Sequence, residues 1–195
     1  MFKDRIDPHW TAELGREIRA RQWVDARQTL TFGAGDPGGL TKEEAAWLKR
    51  QRLALELMVQ AERGDLSEIR FLLEQGADPN FEAHNGLVMS PLARAAICDE
   101  AASIAELIEG GADPDLELSY EISSSQFFQS TALIWASREG SANAVRALLA
   151  AGANVNAREC VLYPELQRCM PRQTALDAAK TPEIKAMLRA AGARS

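Results

Sequence analysis

Thr131-Ala132-Leu133-Ile134-Trp135-Ala136-Ser137, then Gly140, then Val145-Arg146-Ala147-Leu148-Leu149 and Gly152-Ala153-Asn154-Val155-Asn156, is the stretch that decides the fold. Apolar residues fall three and four apart in both runs, which is one face of a helix. Thr131 suits a helix start, because its hydroxyl can accept from the free N–H groups of the first turn. Gly140 marks a turn between the two runs, and the small alanines let paired helices approach closely. Gly152 stands where a helix ends in a left-handed residue. The stretch therefore predicts a helix-turn-helix unit.

The unit recurs. Gly76-Ala77-Asp78-Pro79-Asn80, Gly111-Ala112-Asp113-Pro114-Asp115 and Gly192-Ala193 match Gly152-Ala153, with the glycines 35, 41 and 40 residues apart. Upstream of these lie Ile69–Leu73, Ile104–Ile108 and Ile184–Leu188, matching Val145–Leu149. Ser90-Pro91-Leu92-Ala93-Arg94-Ala95-Ala96 and Thr174-Ala175-Leu176-Asp177-Ala178-Ala179 match the segment from Thr131, and Pro91 suits a first helical position. Gly64 takes the turn position of Gly140.

These residues resemble the ankyrin repeat, whose pattern runs Thr-Pro-Leu-His-x-Ala-Ala, Gly, Leu-Leu and Gly-Ala-x-x-Asn. The resemblance covers residues 53–195 and implies an all-α solenoid of stacked helix pairs, with repeats near 53–85, 86–120, 130–160 and 173–195. It also implies a concave face made of hairpin tips and inner-helix positions. The departures matter. Connections between repeats exceed the family's by about two, eight and ten residues, expected as long hairpin loops. Ala93, Ile134 and Asp177 stand where the family has His. The first copy lacks the Thr-Pro-Leu-His start, and the last is short around Lys180-Thr181-Pro182, as end caps are expected to be.

Residues 1–52 do not match the repeat. Trp10, Leu14 and Ile18 suggest one amphipathic helix, and Trp23, Ala26 and Leu30 a second. A glycine-rich loop over 33–39 follows. Thr41-Lys42-Glu43-Glu44 then reads as a capping box, opening a helix expected to run to Arg63. The expectation is a helical extension that covers the open apolar face of the first repeat and buries Trp10, Trp23 and Trp47; a separate docking surface is the alternative.

Composition bounds the function. The 195 residues carry a net charge of −6 and contain no apolar run long enough to span a membrane. The charged start, Met1 to Asp7, lacks a signal-peptide core, so a cytoplasmic location is expected. Cys160 and Cys169 flank one loop and could pair, but with Cys98 they make an odd, scattered set, read as three free thiols. His9 and His84 match no metal-ligand or catalytic spacing, and Gly33-Ala34-Gly35 is too short to cradle a phosphate. No enzymatic activity, cofactor or metal is expected.

Charge is uneven: residues 56–157 hold five basic and sixteen acidic side chains. Between Arg94 and Arg138 no Lys or Arg occurs, while Asp99, Glu100, Glu106, Glu109, Asp113, Asp115, Glu117 and Glu121 do. Such a stripe repels phosphate backbones, which argues against nucleic acid, and it steers basic proteins. The expected partner is another protein with a basic surface, met by a monomer.

The resemblance places Glu62, Arg63, Ile97, Cys98, Arg138 and Glu139 at exposed inner-helix positions, with Trp135 one turn away. Hairpin candidates are Glu82, His84, Asn85, Leu87 and Met89; then Glu117, Tyr120, Glu121, Phe127 and Phe128; then Tyr163 and Leu166. Asp99 and Glu100 complete the set. Aromatic residues in long loops serve well as interface anchors. Three roles fit: an inhibitor such as an immunity protein neutralising a basic toxin or nuclease, an adaptor joining two proteins, or a secreted effector. The Arg-rich usage, 17 Arg against 5 Lys, hints at a GC-rich bacterial genome.

Overall fold

A computed structural model describes residues 42–81, 89–123, 126–163 and 168–194. Its helices are α1 (Lys42–Arg63), α2 (Leu66–Glu74), α3 (Pro91–Ile97), α4 (Ala101–Glu109), α5 (Ala132–Glu139), α6 (Ala142–Ala150), α7 (Ala175–Ala178) and α8 (Pro182–Ala190). Strands β1 (Leu118–Ser123) and β2 (Gln126–Ser130) lie between α4 and α5, and β3 (Arg158–Tyr163) and β4 (Arg168–Thr174) between α6 and α7. Helices pair within each repeat, α1 with α2 through α7 with α8. The inner helices α1, α3, α5 and α7 stack in sequence order, as do the outer helices α2, α4, α6 and α8.

The outer helices repeat one core motif. Ile69 and Leu72, Ile104 and Leu107, Val145 and Leu148, and Ile184 and Leu188 are all buried, one turn apart on the face turned to the inner layer. Burying each such side chain stabilises by about 1.5–3 kcal/mol. The inner helices offer alanines at the contact, including Ala93, Ala95, Ala96 and Ala136, each wholly buried. Small residues here let the layers close without voids.

Each outer helix ends in the same way. Gly76, Gly111, Gly152 and Gly192 all have positive φ, and the N–H of the following alanine returns to Leu72, Leu107, Leu148 and Leu188 respectively. This satisfies a carbonyl that the helix end would otherwise leave bare. The last residue of the motif then ties one repeat to the next. Asn80 donates to the Gly111 carbonyl at 2.9 Å and accepts from the Asp113 N–H at 2.7 Å. Asn156 makes the same pair with Gly192 and Arg194. Asp115 holds the middle position and accepts from the Asn154 N–H at 2.7 Å.

Two features differ from expectation. Connections two and three were expected as irregular hairpin loops; they form regular strands instead, and β2 pairs with β3, giving one antiparallel sheet in the order β1-β2-β3-β4. The extra residues suffice for two strands each, and Tyr120, Ile122, Phe127, Phe128, Val161 and Tyr163 among them are types that suit a pleated surface. Cys160 was expected as a free thiol; it is disulfide-bonded, while Cys98 is free. The expected helix from residue 42 does run unbroken to Arg63, so residue 52 lies inside α1. The expected helices and loop in residues 1–41 lie outside the described residues.

Candidate protein-binding surface

The sheet and the inner helices meet through a small polar cluster. Glu159, at the start of β3, is buried, yet it carries a carboxylate. Arg138 of α5 donates Nη2 to its Oε1 at 2.5 Å, and Gln173 of β4 donates Nε2 to its Oε2 at 2.9 Å. A buried carboxylate is tolerable only when its oxygens are so occupied. The Arg138 guanidinium also lies over the Trp135 ring, 4.8 Å from its centroid, which adds a cation–π contact. Helix, finger and aromatic face are thereby fixed to one another.

One repeat earlier, Arg94 takes the place of Trp135. Its guanidinium pairs with Glu62 of α1 and reaches Met89, with Nη1 4.0 Å from Sδ. Repeat alignment sets Arg94 opposite Trp135 and Ile97 opposite Arg138, so Arg94 is the residue that the repeat pattern could have revealed. Glu159 and Gln173 carried no such signal. They sit in segments longer than the family repeat, where its pattern gives no register.

Register places the aromatic candidates in rows. Tyr120 pairs with Phe128, Phe128 with Val161, and Val161 with Met170, so these four positions share one cross-strand row. Glu121, Phe127, Leu162 and Cys169 form the next row, on the other face. Tyr163 faces Arg168 at the far end of β3 and β4. Met170 is half exposed, an apolar side chain left at the edge of the sheet.

The remaining candidates divide. Trp135 and Arg138 lie at the base of the sheet with Glu159 and Gln173, while Met89 lies against Arg94 one repeat earlier. Arg63, Cys98 and Glu139 are exposed at equivalent repeat positions, the last residues of α1 and α5 and the C-cap of α3, at the opposite helix end from the fingers, with Glu62 and Ile97 one residue before. Partial burial raises the Cys98 thiol above its ordinary range. Glu82, His84, Asn85 and Leu87, together with Leu166, lie outside the described residues.

The acidic residues are not one surface. Asp99, at positive φ in the α3–α4 turn, accepts from the Ala144 N–H at 2.8 Å and from Asn143 at 2.9 Å, capping α6 of the next repeat. Glu100 packs against Gly64. Glu106 holds Arg70 of α2 through two bonds of 2.6 and 2.7 Å, and that hydrogen bonding lowers its pKa. Asp113 and Asp115 fold the inter-repeat turns. Glu109 and Glu117 remain exposed, and only Glu117 adjoins the sheet. Much of the acidity therefore serves the stack.

Among the described residues, no group of three or more His, Cys, Asp or Glu is placed to hold a metal, and no helix is long and apolar enough to cross a membrane. No curated protein matches the chain. The family model for ankyrin repeats, in three copies, matches residues 57–159, more than half of the sequence. The stacked helix pairs, the four glycine-alanine helix ends and that match agree: the chain belongs to the ankyrin-repeat family, whose members are protein–protein interaction modules.

Proposed function

We propose that this protein acts by occluding a partner protein, which it seats across the finger sheet and the inner-helix face beside it. The observation that carries this reading is the fusion of two inter-repeat fingers into one four-stranded sheet, latched to α5 through Arg138 and Glu159. A pre-ordered platform loses little conformational freedom on binding, which favours tight association. Tyr120, Phe127, Phe128 and Tyr163 supply aromatic positions along it. Glu117 precedes β1 and Glu121 lies within it, so a basic partner fits. An inhibitor of the immunity type, neutralising a basic toxin or nuclease in the cytoplasm, is the role that this combination serves best. No catalytic step is assigned to the chain.

The test pairs the purified protein with products of neighbouring genes, by calorimetry and then by assay of the partner's activity. Binding with inhibition supports the reading; binding without inhibition rejects occlusion. An adaptor role has its own observation: α1 begins eleven residues before the first repeat and exposes Lys49, Arg50 and Arg52 there, opposite in sign to the acidic middle of the chain. Removing residues 1–40 separates the two. An adaptor loses one partner and keeps another; an occluding protein keeps its partner.

A further inference from the structure

We infer that residues 1–41 dock back onto the stack as its first layer, seated on a second apolar stripe of α1 that lies outside the repeat core. Leu53, Leu57 and Ala61, spaced four apart, belong to the core that runs through the repeats, and α1 packs there against α2 and α3. Ala54, Leu55 and Met58 form a separate stripe. Ala54 and Met58 each stand one residue, about 100°, further round the helix than Leu53 and Leu57. Ala54, Leu55 and Met58 are 0%, 8% and 1% exposed, yet none of them belongs to that core. Trp47 and Gln51 continue the same stripe towards the start of α1, at helical spacing from Ala54 and Leu55.

A buried stripe has a cover, and the chain limits what can supply it. Outside the described residues lie 1–41, 82–88, 124–125, 164–167 and 195. The internal stretches are short and belong to the connections between repeats. Within this chain only 1–41 is long enough, and it leads directly into α1 at the end towards which the stripe runs. From Trp47 to Met58 the stripe spans about 16 Å at about 1.5 Å per residue. The apolar run Trp10, Leu14 and Ile18 extends about 12 Å as a helix, and Trp23, Ala26 and Leu30 about 10 Å. The glycine-rich loop over 33–39 lets the chain reverse before α1. Leu30, Gly33 and Ala34 also repeat the spacing of Leu73, Gly76 and Ala77, with which the first outer helix ends. The rest of the segment departs from the repeat pattern, and the family match starts only at residue 57.

The arrangement of the stack gives this docking its purpose. Each interior repeat has a repeat on either side, whereas the first has a neighbour only in α3 and α4. Its other side would leave Leu55 and Met58 in water, and an array with an open apolar end loses solubility. Docking of 1–41 extends the array by one layer and closes that end. The segment then serves the stack itself, on the side away from α5 and the third repeat, and the finger sheet stays free for a partner.

Hydrogen exchange on the 195-residue chain tests this. Amides of residues 10–30 are expected to exchange at least about tenfold more slowly than in an unstructured peptide of the same sequence. Leu14→Asp combined with Ile18→Asp should speed exchange across residues 51–58 and leave α4 to α8 unchanged. Leu55→Asp should in turn release residues 10–30, with the amides of α4 to α8 reporting that the stack persists. The Leu14 and Ile18 pair lies outside the repeats and decides the matter even where Leu55→Asp unfolds the stack. Unprotected residues 10–30 in the wild-type chain, or α1 amides indifferent to the Leu14 and Ile18 pair, would overturn the docking. Protection that fades on dilution, with the mass of a dimer in sedimentation, would assign the cover to a second copy and overturn it as well. None of these readouts depends on what the finger sheet binds.

Discussion

Asp115 occupies a position where the neighbouring repeats place Asn80 and Asn156. Each asparagine both donates to a glycine carbonyl and accepts a backbone N–H of the next repeat, whereas a carboxylate can only accept. Asp115→Asn restores a donor facing the Gly152 turn. It is expected to raise stability by about 0.5–1.5 kcal/mol, the net worth of one such bond, read from a urea unfolding curve. Glu159 gives the opposite case. Arg138→Ala removes its cation while the carboxylate stays buried beside Gln173. The loss is expected at about 1–3 kcal/mol, below that of a fully enclosed pair because Arg138 is partly open to water. An unchanged unfolding midpoint would show that the latch contributes nothing.

Helix caps set a pH dependence at the scale of the element. Ser90 caps α3 by accepting from Ala93, while Thr131 makes no cap bond, and its buried hydroxyl has no partner. In α7, Asp177 stands where the family has His and completes a reciprocal cap with Thr174, whose N–H donates at 2.9 Å. That N–H, followed by the Thr174 hydroxyl, holds Asp177 below its ordinary value of 3.8. A carboxyl with a lowered folded pKa stabilises fully above its unfolded value and ceases to do so as pH falls through the folded one. Wild type should therefore exceed Asp177→Asn at neutral pH, and the gap should close progressively below 3.8. Urea midpoints measured across that range check it; a gap independent of pH would rule out this carboxylate as the cause. The α2–α4 pair of Arg70 and Glu106 is exposed to solvent and contributes less, because water and salt screen it.

The whole molecule is a one-dimensional stack, so damage spreads to neighbours. Leu148 is wholly buried between repeats, and Leu148→Ala is expected to cost about 2–5 kcal/mol. Faster hydrogen exchange should extend from α6 into α4 and α8, its partners in the outer layer. Loss confined to α6 would contradict a nearest-neighbour stack. Charge reversal at Glu109 and Glu117 tests steering without disturbing that stack, since both are exposed and Glu106, Asp113 and Asp115 are left to their internal partners. Association with a basic partner should slow, and its salt dependence should weaken, in stopped-flow measurements at two ionic strengths. Unchanged rates would show that these carboxylates only solvate the surface.

Sequence alone determined the helix pairs, their order and their glycine-alanine ends, because those follow from local spacing repeated four times. Helix periodicity and capping act within a few residues, so Ile69 and Leu72 or Ser90 and Ala93 declare themselves without distant partners. Only the tertiary structure decided the rest. The pairing of β2 with β3 and the latch between Glu159 and Arg138 join residues far apart in sequence. The capture of Asp99, Glu106 and Asp115 by neighbouring repeats is of the same kind, and it is why an acidic run in sequence is not an acidic face in space. Such contacts depend on how the stack spaces its fingers and turns, and no local pattern carries that spacing.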